Sequence, residues 1–267
     1  ILTDGKSFDV TIEDAFVNKD NPEDHPNYLG VYAGAYTETI KLKTGNYIFN
    51  GASVNTTTGP AIEIEENAVV TIYVQGNLDL VGATHGIYVP ATSTLTIEGI
   101  ASTRATAEKF GNINVVAKEG SAIGGGNITI QNIAGLTAKA ADYKHAFGIG
   151  ATDATVVIKN TKIDYVAGGY IQPLFVNETQ YGKHEPEGGA AIGGANITIE
   201  DSEIVKAEGG SKAAAIGNRF HSNTNITIKN STLGDIFGGN ASAAIGGSRY
   251  SEDISADNKQ TININID

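Results

Sequence analysis

The chain has 267 residues, 18 basic against 30 acidic side chains and a formal charge of −12, a balance that excludes the clustered Lys and Arg needed to grip a phosphate backbone, so no nucleic acid is expected as partner. Its apolar runs are too short to span a bilayer, so no transmembrane segment is expected; with no Cys it holds no disulfide, thiolate metal site or Cys nucleophile. Glycine is abundant at 33 residues while Trp and Met are absent, and a chain that starts at Ile1 without any Met is expected to have lost a leader or anchor.

Residues 1–37 show no repeat and contain a polar, Pro-bearing stretch from Asn18 to Asn27, so they are expected to form an N-terminal cap. Residues 38–267 are expected to be one series of β repeats with loop insertions. Ala61-Ile-Glu-Ile64 and Gly86-Ile-Tyr-Val89 look like weak early copies. The strong copies follow. Ser121-Ala-Ile-Gly-Gly-Gly-Asn-Ile-Thr-Ile130 matches Ala190-Ala-Ile-Gly-Gly-Ala-Asn-Ile-Thr-Ile199 almost residue for residue. Between them stands a diverged copy, Phe147-Gly-Ile-Gly150 with Thr155-Val-Val-Ile158. After them come Ala214-Ala-Ile-Gly217 with Asn225-Ile-Thr-Ile228, and Ala243-Ala-Ile-Gly-Gly247 with Thr261-Ile-Asn-Ile-Asn-Ile266.

Ile123, Ile149, Ile192, Ile216 and Ile245 anchor these copies at separations of 26, 43, 24 and 29 residues. A floor near one length with variable excess is how a coil with loop insertions behaves. Each copy carries three short segments that alternate apolar and polar, separated by Gly and Asn, and none shows helical periodicity. A strand that returns one coil later pairs with its own copy in parallel, its two companions serving as the crossover. The expected fold class is therefore all-β: a single-stranded right-handed parallel β-helix, a solenoid of about seven coils, with the five isoleucines stacked inward as a core column. Asn132, Asn160, Asp201 and Asn230 each follow the second strand by the same step and are expected to stack as a structural ladder at one turn.

The Ala-Ile-Gly-Gly…Asn-Ile-Thr-Ile copies resemble a module of bacterial secreted and cell-surface proteins that fold as right-handed β-helices with the shape of pectin-lyase-like proteins. The resemblance covers about residues 59–266. It implies an extracellular, periplasmic or cell-surface location and brings no catalytic residue with it, because no active-site motif of those proteins can be mapped here.

Lyases and hydrolases of this shape concentrate Asp, Lys and Arg on a strand face, where these repeats offer Gly and Ala. No catalytic residue is therefore assigned, although a polysaccharide lyase or glycoside hydrolase stays among the alternatives. The acidic stretches Asp20 to Asp24 and Glu252-Asp253 lack the spaced oxygen ligands of a calcium loop, and the five His have no zinc-ligand spacing. Neither metal nor cofactor is expected, and calcium has no motif to support it.

The insertions hold the aromatic and basic residues. Asn218-Arg219-Phe220-His221 and Gly247-Ser-Arg249-Tyr250 follow the same strand on neighbouring coils, and the insertion 170–189 brings Tyr181 and His184. Aromatic faces stack on sugars, and Arg or His can bond hydroxyls or carboxylates, so these seven residues are the candidate ligand-binding set, with a glycan or another cell-surface component as partner. The leading expectation is a non-catalytic extracellular β-helix that binds carbohydrate; a structural or adhesive spacer is the main alternative.

Overall fold

The structure is a computed structural model that describes residues 28–100, 110–143, 145–170, 188–219, 222–240, 242–247 and 261–267. Period-two alternation puts one side of every strand in water and the other in the core, and the chain satisfies both by winding round an axis. Among the described residues there is no helix, and all the paired strands run parallel.

The chain builds three sheets. The first is lined by β2 (Ile40–Leu42), β4 (Ile62–Ile64), the start of β6 (Ile87–Gly99), the start of β8 (Ile123–Gln131), and the two-residue strands β10 (Ile149–Gly150), β13 (Ile192–Gly193), β16 (Ile216–Gly217) and β19 (Ile245–Gly246). The second takes in the early parts of β1 (Tyr28–Tyr36), β3 (Gly45–Asn55) and β5 (Val69–Gly82), the ends of β6 and β8, then β11 (Thr155–Lys159), β14 (Asn196–Glu200), β17 (Thr224–Lys229) and β20 (Ile262–Ile266). The later parts of β1, β3 and β5 open the third sheet, which continues through β7 (Phe110–Ala117), β9 (Ile133–Lys139), β12 (Lys162–Ala167), β15 (Glu203–Glu208) and β18 (Thr232–Phe237).

Register makes the columns explicit. In the first sheet Ile40, Ile62, Ile87, Ile123, Ile149, Ile192, Ile216 and Ile245 pair in unbroken succession. The column thus begins at Ile40, one rung before the first copy recognisable in the sequence. At about 4.8 Å per rung its eight members span roughly 34 Å. The members from Ile62 to Ile216 are wholly buried and Ile245 is partly so; each buried Ile contributes about 1.5–3 kcal/mol.

Part of the segment expected as a loop-rich cap is sheet: β1 lies in parallel register on β3, and Tyr32 stacks on Phe49 with ring centroids 4.7 Å apart. Residues 1–27 lie outside the described residues. At the other end β20 pairs with β17.

The turn between the second and third sheets explains the Asn/Asp column. Asn132, Asn160, Asp201 and Asn230 have φ of 58°, 42°, 51° and 47°. This left-handed conformation is costly for most L-residues and tolerated by Asn, Asp and Gly. Their backbone N–H groups make the same bond to the next coil, onto Lys159, Glu200, Lys229 and Asp267 carbonyls respectively. A side-chain link accompanies it at one end: Asn160 Nδ2 donates to Asn132 Oδ1 at 3.0 Å, and Asn132 Nδ2 to Glu98 Oε1 at 3.4 Å. A second amide ladder, on the outer face of the second sheet, runs Asn263 to Asn225 (2.7 Å) to Asn196 (3.0 Å).

Glycine is demanded where backbones of adjacent coils touch. A Cβ on Gly210 would lie 1.9 Å from the Gly169 carbonyl oxygen, and one on Gly239 would lie 1.8 Å from that of Gly210. No side chain fits there.

Candidate functional site

A furrow crosses the outer face of the third sheet, with a volume of about 350 Å³. Its floor follows from the alternation of three successive strands: Asn77 and Asp79 on β5, Asn112 and Asn114 on β7, Gly135 and Thr137 on β9 all occupy outward positions and pair in register. A fourth rung closes it. Register shifts between Ile163 and Tyr165 of β12, so Asp164 is an extra residue that bulges outward.

The furrow exists because Gly135 has no side chain. A Cβ there would stand 2.8 Å from Asp164 Oδ2 and 2.9 Å from Asn112 Oδ1. Two acceptor oxygens therefore converge over a buried stretch of backbone that has no side chain. Asn112 is held in this orientation because its Nδ2 donates to Asn77 Oδ1 at 3.2 Å, which turns its carbonyl oxygen toward Gly135. One step along, Asn114 Nδ2 donates to Asp79 Oδ1 at 3.5 Å. Asn112 and Asn114 each spend an amide N–H on the rung before, and the acceptors Asp79, Asp164 and Asn112 Oδ1 line the furrow beside them.

At its edge Lys162 pairs with Asp164 at 2.8 Å, and that hydrogen bond raises the lysine's pKa, which holds it charged. Beyond it Tyr165 donates its hydroxyl to Glu208 Oε2 at 2.5 Å, with the Lys206 ammonium 5.4 Å from the ring centroid. Burial, reinforced by the Glu208 hydrogen bond, pushes the Tyr165 phenol up to about 12. Lys206 and then Tyr165, by hydrogen bonding, hold Glu208 below the usual carboxylate range. Asp79 and Asp164 both stand exposed.

Of the residues expected to bind ligand, Phe220, His221, Arg249, Tyr250, Tyr181 and His184 lie outside the described residues. Arg219 is described. Its Nε donates to Thr152 Oγ1 at 3.1 Å, its Nη1 lies 3.5 Å from His145 Nε2, and its backbone bridges antiparallel to Ala213. Buried Asn218 braces the same bend, its Nδ2 reaching the carbonyls of Thr152, Gly194 and Asn223. Arg219 thus ties its coil to the one that carries His145, and exposed Tyr143 stands two residues from that histidine.

The furrow residues were not singled out in the sequence. Their signal was present as Asn77-Leu-Asp79 and Asn112-Ile-Asn114, two polar-apolar-polar triplets of the same form, but their alignment depends on insertion lengths that the sequence does not reveal. Among the described residues no group of three or more His, Asp or Glu gathers as a metal centre would, and no helix is long and apolar enough to cross a membrane. Compared with known proteins, the chain matches no family model, no curated sequence and no solved structure.

Proposed function

We propose that this chain is a non-catalytic, carbohydrate-binding β-solenoid that works outside the cell, with the third-sheet furrow as its binding site. The observation that carries this reading is the convergence of Asp164 Oδ2 and Asn112 Oδ1 over the side-chain-free backbone of Gly135, flanked by Asn77, Asp79, Asn114 and Thr137. Paired carboxylate and amide oxygens are suited to accept hydrogen bonds from neighbouring sugar hydroxyls. The resemblance of the repeats to secreted and surface modules supports the location.

Catalysis by the same groups is disfavoured on chemical grounds. A general acid needs a carboxyl kept protonated by burial, and both furrow aspartates are exposed. A lyase needs a neutral basic side chain, and Lys162 is held protonated by Asp164.

A glycan-array screen of the whole protein, beside a reducing-sugar release assay on the same polysaccharides, tests the proposal. The expected result is binding without release. Gly135→Ala should weaken binding about tenfold or more with only a small fall in melting temperature, because the added Cβ meets only the side-chain ends of Asp164 and Asn112 and must push the two oxygens apart. Release of reducing sugar would sink the non-catalytic reading; binding unchanged in Gly135→Ala would move the site elsewhere.

A further inference from the structure

We infer, on the carbohydrate reading above, that the furrow selects a neutral, extended glycan chain that lies along the rod axis with about one sugar per rung. The direction follows from the register. Asn77, Asn112 and Gly135 form one outward column and Asp79, Asn114 and Thr137 the next, so the polar groups repeat along the axis and the furrow runs with them. Rungs recur at about 4.8 Å, close to the length that each pyranose adds to an extended chain. A chain laid along the axis stays in step with the columns, whereas one laid across the sheet meets the furrow only once.

Charge sets the class. The furrow lining presents two carboxylates, Asp79 and Asp164, and the Lys162 ammonium at its edge is engaged by Asp164 at 2.8 Å. The acceptors that converge over Gly135 call for hydroxyl donors, which neutral sugars carry at adjacent carbons. A uronate would bring its own carboxylate against them, and like charges at contact distance oppose binding. The overall charge of −12 adds to that bias.

The test is calorimetric titration of the whole protein with cellotetraose, mannotetraose, xylotetraose and tetragalacturonate, each once in EDTA and once in calcium. At least one neutral tetramer should bind roughly tenfold or more tighter than tetragalacturonate in both buffers. Its affinity should rise from the dimer to about the tetramer and then level off, as four rungs are filled. Replacing both aspartates (Asp79→Asn with Asp164→Asn) should narrow the gap between neutral and acidic tetramers. Equal or tighter binding of tetragalacturonate overturns the charge selection, and if that binding needs calcium the carboxylates are bridged by the ion instead. Affinity already complete at the dimer overturns the axial path. Failure of every tetramer to bind, with the array also blank, sinks the carbohydrate reading itself and this inference with it.

Discussion

The last described rung and the one before it carry isoleucines in the same two columns, and these meet different fates. Ile226 is 1% exposed, while Ile264, its in-register partner one rung on, is 45% exposed; for Ile228 and Ile266 the figures are 2% and 64%. Their local pattern does not separate them, since Asn225-Ile-Thr-Ile228 and Asn263-Ile-Asn-Ile266 alternate apolar and polar alike. An interior strand has a rung on either side, whereas among the described strands β20 pairs with β17 alone. Burial in a solenoid is thus a property of neighbours, and stability is a sum of contacts between adjacent rungs.

The sharpest way to break this comparison is to truncate the same column at two depths. Ile197→Ala, inside the core, should cost about 2–5 kcal/mol. Ile264→Ala should cost about 1 kcal/mol or less, because the side chain is half in water already. Urea denaturation of both variants measures this, and equal losses would show the end rung to be packed like the rest.

A smaller difference is expected at the turn column. Asn160→Leu and Asn230→Leu should each lose about 1–2 kcal/mol, since Leu must take the left-handed conformation. Asn160→Leu should lose about 1 kcal/mol more, for the amide bond to Asn132. Glycine at either site should restore the backbone share, leaving Asn160→Gly short of its side-chain bonds, that to Asn132 among them. Thermal melts of the four variants separate the two causes; if Asn160→Gly is as damaging as Asn160→Leu, the amide ladder and not the backbone dominates.

The smallest effect is a pH dependence confined to the interior. The His85 ring packs against Gly120 and edge-on to Tyr88, centroids 5.2 Å apart, and burial lowers its pKa from the ordinary 6.5. The unfolded chain therefore takes up this proton first as pH falls. Its contribution is present above 6.5 and is lost as pH drops below it. Glu200, held down by Lys159, and Glu208, held down by Lys206, follow the same sign in a separate window that opens only below 4.5. A melting temperature that declines as pH falls from 6.5 towards 4.5, and no longer does so in His85→Gln, is the expected result. Amide exchange should show the loss around His85, Tyr88, Gly120 and Gly124 and not in β20.

How much of this was legible beforehand depends on the range of the interaction concerned. The repeat, the parallel pairing and the inward isoleucines follow from alternation within a few residues and from the recurrence of one motif, so the sequence by itself determined them. The Asn/Asp column was legible too, but its cause was not: positive φ is a backbone fact, visible in the sequence only as a restricted choice of residue. Tertiary structure alone decided the furrow. Asn77 and Asn112 lie 35 residues apart, Asn112 and Gly135 only 23, and their alignment depends on how much chain each coil diverts into loops. Asp164 reaches the same furrow through a one-residue bulge that alternation does not announce. The bare isoleucines of β20 are of the same kind, because solvent exposure is settled by what stands on the next rung and a single strand's sequence holds no record of that.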